Sequence, residues 1–507
     1  ELIAEVAVTD AAQVQEAVDK SRSAQAAWGA LSVRQRAKAL LKFRDVLVVN
    51  GPDLAALLSL ECGKPQMEAY MSEIFSLADL TTYFCKKAPS ILKDKGISLH
   101  LMKHRRSVLH YQPRGVVGII SPWNFPLVIP GGDLVMALLA GNGVVIKPSE
   151  VTPLIALRLE ELCLEAGLPE GLVAVVPGYG PTGAALIEAG VDKIVFTGSV
   201  ATGKRVAEAA AQRLIPCALE LGGKAPALVL PGADIERTAR ALVFGAFCNS
   251  GQVCVSVERV YAHADVHDAL LARVVELTGR LRQGDPAQQH VDVGAVIHGP
   301  QIDKARAQVS DAVQRGARVE TGGEAAEGAG QFFSPTVLSG VPHEAVVMRE
   351  ETFGPLMPIH KVNSVTEAID KANDSHLGLM AYVFARSSSE GEAVARQIVA
   401  GTVMVNDVLG TYAMPETPWA GLKQSGLGRV HSAGALRDMC QTRHVNVPLL
   451  PTLKREIWWY PYTRGTYTLM RRLVSLLFGR GIRRLAPADL DKQGEVRLPA
   501  RLAAPAK

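Results

Sequence analysis

Between Gly115 and Gly223 the sequence alternates short β-branched runs with longer helical ones. "VVGIIS", "GVVIKP", "LVAVVPG", "VDKIVFTGS" and "IPCALELGG" read as five strands. "GGDLVMALLAGN", "PLIALRLEELCLEAG", "GPTGAALIEAG" and "GKRVAEAAAQR" read as the helices between them. Strands separated by helices predict a parallel, doubly wound α/β sheet. In such sheets ligands bind at the carboxyl ends of the strands. The unusual residues fall there. "SPWNFP" (121–126) follows the first strand, "KPSE" (147–150) the second and "FTGSVATG" (196–203) the fourth, while Glu220 ends the fifth just before Gly222 and Gly223. Four such clusters on one edge predict a single large site.

Each cluster read alone leaves alternatives open. "FTGSVATGKRV" places two glycines and a serine at a strand-to-helix junction, where backbone N–H groups suit a phosphate. The spacing is G-x-x-x-x-G, not the G-x-G-x-x-G dinucleotide fingerprint, so a plain tight turn reads equally well. In "KPSE" the Glu150 carboxylate suits two ribose hydroxyls, which favours NAD over NADP. Ser149 as a helix cap with Glu150 on the helix dipole reads as well. In "FCNSGQVCVSVERV" (247–260), Cys248 ends an apolar helical run, and Cys254 follows a Gly-Gln pair and precedes a strand. A free cysteine is commonly a small buried hydrophobe, and Cys85, Cys163, Cys217 and Cys440 read that way.

A second α/β region runs from Ala225 to about Asn406, residues 11–95 read as Ala-rich helices, and "EVAVTD" reads as an edge strand. A chain of 507 residues, 48% apolar and 21% charged, is globular with two or three domains. Seven scattered cysteines without a CxxC pair argue against a disulfide framework or a zinc site, and favour a reducing compartment. No apolar run reaches the roughly 20 residues that span a bilayer, and no signal peptide is evident. The sequence begins at Glu1 without Met, which leaves a preceding segment open. Net charge is +4, but Pro448 to Lys507 carries twelve Lys/Arg and four Asp/Glu, 12 − 4 = +8, leaving 4 − 8 = −4 elsewhere. No nucleic-acid motif accompanies that basic tail, so no nucleic-acid partner is expected.

Seven motifs in order, "PWNFP", "KPSE", "FTGS…G", "LELGGKAP", "GQVC", "EETFGP" and "GLKQSGLGR", make residues 1–446 resemble the aldehyde dehydrogenase superfamily. The resemblance implies a Rossmann-like doubly wound NAD-binding domain (1–97 and 115–223) and a second α/β catalytic domain carrying the nucleophile (224–428). It also implies a small β oligomerisation element (98–114 and 429–447), which bridges subunits in a homodimer or tetramer. Residues 448–507 form an extension beyond the family's catalytic body. By the same resemblance Cys254 is the nucleophile, Glu220 the general base and Asn124 the oxyanion donor, and Cys248 is not expected to attack. Lys147, Ser149 and Glu150 match contacts to the adenosine ribose, and Gly198, Ser199 and Gly203 match the pyrophosphate site. Glu351 and Phe353 match residues beside the nicotinamide, and Trp123 belongs to the same cofactor-contact set. The cofactor implied is NAD, with NADP also compatible, and no metal is implied. The implied reaction oxidises an aldehyde to its acid through a thiohemiacetal and a thioester. Glu220 favours release of a free acid over transfer to coenzyme A.

Departures from the family pattern bear on the substrate. Succinic semialdehyde members place one Arg after "WNFP" and another before the nucleophile, but "LVIPGGDLVMALLAG" and "AFCNSGQ" contain none. An uncharged aldehyde with an apolar or aromatic body is therefore expected, with semialdehyde and amino-aldehyde substrates as alternatives. Trp419 in "PWAG" stands where many members have Phe, either packing or walling a pocket. "GRVHS" lacks the usual Glu after Gly-Arg. Intact Asn124, Glu220 and Cys254 argue against a non-catalytic, membrane-associated scaffold. In the tail, residues 455–485 form a basic amphipathic pattern: Leu469, Met470, Leu473, Val474, Leu477 and Phe478 share one helical face. Such a helix docks on protein, or lies on a membrane surface. The expected location is cytoplasmic, with peripheral attachment to a membrane's cytoplasmic face as the variant. The Pro- and Ala-rich end is expected to be poorly ordered.

Overall fold

The structure is a computed structural model describing residues 2–288, 290–326, 330–452 and 454–479. The chain forms two compact units: residues 1–95 with 109–444, and residues 96–108 with the segment from 445 onward.

The larger unit contains two sheets. The first has strands β1 (Val116–Ile120), β2 (Gly143–Lys147), β3 (Val173–Val175), β4 (Lys193–Thr197) and β5 (Cys217–Glu220) in the order β5-β4-β1-β2-β3, all parallel, with Gly426–Leu427 pairing antiparallel on the outside of β5. All five predicted strands form. The register aligns Ile120 with Lys147 and with Phe196, and Thr197 with Glu220. The strand ends bearing the sequence clusters therefore lie side by side. β-Branched residues fill these strands because both faces are covered, as parallel sheets require. Val128–Ala140 is buried along its whole length and ends at Gly141, whose φ of 93° suits only glycine without strain.

The second sheet has β6 (Ala225–Val229), β7 (Val257–His263), β8 (Arg318–Thr321), β9 (Thr336–Ser339), β10 (Leu356–Val362), β11 (Met380–Phe384) and β12 (Thr402–Val405), in the order β8-β9-β10-β7-β6-β11-β12. Only β8 is antiparallel to its neighbour. Residues 11–91 are largely helical, as predicted. "EVAVTD" is not a strand. Its Asp10 caps the helix Ala11–Ala30, accepting from the Gln13 amide while the Gln13 side chain accepts from the Asp10 amide. That capping box outweighs the β-branched alternation before it.

Lys95–Ile97, Arg105–Pro113 and Cys440–Pro448 form a three-stranded sheet in that order, with Cys440–Pro448 at an edge. In the smaller unit, helix Arg464–Phe478 starts at Thr463, whose hydroxyl accepts from the Thr466 amide, and no residue of the helix is buried. No helix among the described residues is long and apolar enough to cross a membrane. Arg480, Arg483 and Arg484 and the Pro- and Ala-rich end lie outside the described residues.

Candidate active site

The segment before Cys254 takes a conformation that most sequences avoid. Asn249, Ser250 and Gly251 have φ of 49°, 56° and 72°, three left-handed residues in succession. Such backbone is costly for Asn and Ser, and side-chain bonds hold it. The Asn249 amide donates to Glu68 Oε2 at 2.9 Å, and its Nδ2 donates to the carbonyls of Asn124 at 3.0 Å and Gln252 at 3.2 Å. Ser250 Oγ donates to the Gly294 carbonyl at 2.9 Å. At Gly251 a Cβ would run into the Gly354 carbonyl. Cys254 emerges half-buried, while Cys248 is buried with its thiol held far above its usual range by burial and by Glu68 beside it.

One cavity of about 280 Å³ gathers Trp123, Asn124, Gly198, Ser199, Glu220, Cys254, Glu351 and Phe353. The predicted nucleophile, base and oxyanion donor thus share a space with five of the predicted cofactor contacts. Lys147, Ser149, Glu150 and Gly203 stand outside its lining. Lys147 and Ser149 are buried, and Lys147 Nζ lies 3.4 Å from the exposed Glu150 carboxylate. Ser149 does not cap the next helix. Thr152 occupies the cap position of Pro153–Glu165, and the Glu61 carboxylate accepts from the Leu154 and Ile155 amides at 2.8 Å each. Gly203 sits inside the helix Val200–Gln212, where a Cβ would overlap Leu221.

The residues fit a nicotinamide dinucleotide. Ser199 caps Val200–Gln212 at the cavity, accepting from the Thr202 amide, which leaves a helix N-terminus facing the space. A Cβ at Gly198 would lie 2.6 Å from the Phe196 ring, and one at Gly222 would lie 2.6 Å from the Glu351 carboxylate. Glycine keeps both approaches open.

Buried charges surround the site. Asn124 Nδ2 donates to the Gln252 carbonyl at 3.1 Å, and the Asn124 carbonyl accepts from Lys64 Nζ at 2.7 Å. Lys64 pairs with Glu73 at 2.5 Å, and Glu73 accepts from the Leu127 and Val128 amides. Across the cavity, Glu258 pairs with Lys224 at 2.7 Å and accepts from the Thr352 and Phe353 amides at 2.8 Å each. Phe353 has φ of 55°, and its ring stands edge-on to Trp123 at 5.3 Å. Glu351 accepts from the Gly223 amide at 3.0 Å.

Both oxygens of the Glu220 carboxyl are buried without a hydrogen-bond partner among the described residues. Burial, and then the charge of Asp133, push Glu220 well above the usual carboxyl range. Burial, followed by Glu351 and Glu220, pushes the Cys254 thiol up to about 12, against hydrogen bonds from the Cys254 and Val255 amides. Trp419 both packs and walls the cavity: it is buried, lines the space and stands edge-on to Tyr412 at 5.0 Å. In "GRVHS", Val430 lines the cavity, and the buried His431 ring lies tilted against Tyr412 at 4.4 Å, with burial lowering the His431 pKa to about 4.

Sequence reasoning missed Lys64, Glu73, Asn249, Gln252, Glu258 and Asp133. Lys64 in "CGKP" and Asp133 in an otherwise apolar helix were the available signals: an ionisable residue in an apolar setting.

Comparison with known proteins agrees with this arrangement. The sequence pattern of the aldehyde dehydrogenase family matches residues 1–445. The chain belongs to the aldehyde dehydrogenase family. It is an oxidoreductase of that family, with the family's fold, and the family uses NAD or NADP. One relative, 4,4'-diapolycopene aldehyde oxidase of a Methylomonas species, is 38% identical over 483 residues, 94% of this chain and 89% of its own length. Another, from Mycolicibacterium smegmatis, carries the provisional name NADP-dependent succinate-semialdehyde dehydrogenase. It is 40% identical, covering 87% of this chain and 85% of its own. An NAD-dependent aldehyde dehydrogenase structure from Sinorhizobium meliloti superposes with TM-score 0.85 at 35% identity, covering 90% of each chain. An NAD+ complex of the Bacillus cereus enzyme gives 0.85 at 32%, covering 89% and 91%.

Proposed function

We propose that this aldehyde dehydrogenase uses NAD to oxidise an uncharged, hydrophobic aldehyde to its carboxylic acid, with Cys254 as nucleophile, Asn124 as oxyanion donor and Glu220 as base. The supporting observation is the convergence of Cys254, Asn124 and Glu220 on the cavity that also holds Gly198, Ser199, Glu351 and Phe353. Cys254 sulfur attacks the aldehyde carbon, and a thiolate is the strongest nucleophile among side chains present. The alkoxide so formed receives hydrogen bonds from the Asn124 amide and the Cys254 N–H, each such donor contributing about 3 kcal/mol. When bound, the nicotinamide supplies the hydride acceptor and a positive charge that favours the thiolate. Water then adds to the thioester, its proton passing to Glu220, and the C–S bond breaks. Lys147 and Ser149 are assigned to the adenosine ribose with Glu150, whose carboxylate suits a 2′-hydroxyl and repels a 2′-phosphate. Gly203 lets the pyrophosphate-binding helix pack closely, and Trp123 holds Phe353 toward the nicotinamide.

The substrate class follows from the lining. Ile129, Leu379, Tyr412, Trp419 and Val430 are apolar or aromatic, and Asp133, Glu220 and Glu351 are acidic. Lys304 is the one Lys or Arg among the lining residues, and it acts on Glu351 at the cofactor end. An anionic substrate end meets carboxylates there. The names of relatives favour a second reading, an NADP-dependent semialdehyde dehydrogenase. One assay separates the two: kcat/KM for aliphatic aldehydes of increasing length, beside succinic semialdehyde, with each cofactor. Preference for long aldehydes and NAD is expected, and a clear preference for the semialdehyde overturns the substrate reading.

The exposed edge strand Cys440–Pro448 supports assembly into a homodimer or tetramer through sheet extension. The helix Arg464–Phe478, with exposed Leu469, Val474, Leu477 and Phe478 and no acidic residue, supports peripheral contact with an anionic membrane at the cytoplasmic face. Trp459, Tyr460 and Tyr462 leading into it are exposed too. The match to the diapolycopene aldehyde oxidase runs into this extension, since 483 matched residues exceed the 445 of the family pattern. Flotation with anionic vesicles, with and without residues 448–507, is the test, and equal flotation removes the membrane proposal.

A further inference from the structure

Helix Val128–Ala140 ("VIPGGDLVMALLA") contains one ionisable residue, Asp133, and every residue of the helix is buried. A carboxyl in such a setting costs several kcal/mol unless something answers it. No hydrogen bond reaches the Asp133 side chain among the described residues. The cation acting on it, Lys193, is itself bonded to Asp438 at 2.5 Å. Asp133 lines the same cavity as Glu220 and Cys254. Among the described residues, Glu220 has no partner for either oxygen. Two carboxyls thus line one cavity, and among the described residues no hydrogen bond is made to either.

The surrounding charges do not change that. Glu73 is bound to Lys64, and Arg36 and Arg437 are bound to the Leu139 and Ile91 carbonyls. Lys147 lies beside Glu150. Of the other titratable groups lining the cavity, Lys304 acts on Glu351, His298 stands against Trp123, and Tyr412, Cys254 and Glu351 are each pushed up by burial.

We propose that Asp133 and Glu220 hold a single proton between them, and that the charge on Asp133 keeps that proton on Glu220 while Cys254, its thiol proton given up to solvent water, attacks as the thiolate and the hydride leaves. Asp133 is therefore a positioning residue acting through Glu220. A neutral Glu220 does not repel the thiolate or the alkoxide. Once the neutral thioester has formed, the proton passes from Glu220 to solvent water in the cavity, which leaves the carboxylate as base. A water oxygen then bonds to the acyl carbon, one water proton passes to Glu220, and the sulfur leaves with the C–S electron pair. Burial pushes Asp133 up to about 7, and burial followed by the charge of Asp133 pushes Glu220 well above the usual carboxyl range.

The inference rests on Glu220 being the base of hydrolysis, and the two fail separately. Thioester hydrolysis is followed in single turnovers across pH in wild type, Asp133→Asn and Glu220→Gln, normalised to the NADH burst so that only competent sites count. Removing the Asp133 charge is expected to move the acid limb of hydrolysis to lower pH by about one unit. Hydrolysis on the acid side then becomes about tenfold faster. A purely structural role lowers the rate at every pH and leaves the limb in place. An unmoved limb in Asp133→Asn, with Glu220→Gln slow, overturns the pair alone. Hydrolysis at wild-type rate in Glu220→Gln overturns the base assignment beneath it. Asp133→Leu is expected to shift the limb the same way, because the effect comes from lost charge. Infrared spectra give a readout without turnover: a protonated-carboxyl band at neutral pH that Glu220→Gln removes and that titrates at lower pH in Asp133→Asn. Absence of that band in the wild type also overturns the proposal.

Discussion

The cofactor edge and the thiol loop face the same cavity and are built by opposite means. At the edge, regular parallel strands end in register, and the residues at Lys147, Thr197 and Glu220 follow from strand pairing. At the loop, no regular element places Cys254. Three left-handed residues do so, held by Glu68, Asn124 and Gly294. A strand end tolerates substitution as long as the sheet stands. A loop of this kind depends on each bond that holds it.

The comparison breaks first at the sulfur. Cys254→Ser is expected to lower NADH formation by about 10⁴-fold or more. Cys248→Ser, buried and away from the cavity lining, is expected to leave kcat within about threefold, because the hydroxyl keeps a small polar group beside Glu68. Steady-state rates with one long aldehyde check both. Asn124→Ala removes a donor from the oxyanion site and is expected to cost about 10²- to 10³-fold in kcat, with KM less affected.

Gly251→Ala sharpens the contrast. Its Cβ meets the Gly354 carbonyl, and its φ of 72° is one that alanine resists. A loss of about 3 kcal/mol or more in stability is expected, seen as a lower Tm and fewer active sites per chain. Glycine-to-alanine at the exposed Gly180, with open space around it, is expected to shift Tm little. Breaking a buried pair is comparable in size. Lys224→Met strands Glu258 and is expected to cost about 3–5 kcal/mol, with KM for the cofactor rising because Glu258 holds the Phe353 amide.

The most gradual effect is in the pH dependence of stability. Burial pushes Glu68, Asp133 and Glu351 up to about 7, above their unfolded values. The folded chain keeps these protons where the unfolded chain has lost them. Their contribution is therefore full below about pH 4 and falls as pH rises through about 7. Denaturant midpoints measured from pH 5 to 8 should decline, and Glu68→Gln should flatten the decline.

The same contrast explains what the sequence made legible. Strand alternation and clusters at strand ends located the cofactor edge, because a parallel sheet converts sequence position into spatial order. Cys254 itself stood out only through motif resemblance. Nothing in "CNSGQVC" announces three left-handed residues, since Asn and Ser seldom adopt that conformation without tertiary support. Lys64, Glu73 and Glu258 were hidden because each acts on a backbone group far away in sequence: Glu73 on Leu127, Glu258 on Phe353. The strand expected at residues 5–10 failed because Asp10 and Gln13 settle the matter locally.

The left-handed run has one more consequence. Position 254 is located by main-chain geometry upstream of it, so its placement does not depend on what its own side chain contacts. The scaffold therefore tolerates exchange of the reactive atom itself, and a selenol or an alkylated sulfur installed there would arrive at the same point in space as the native thiol.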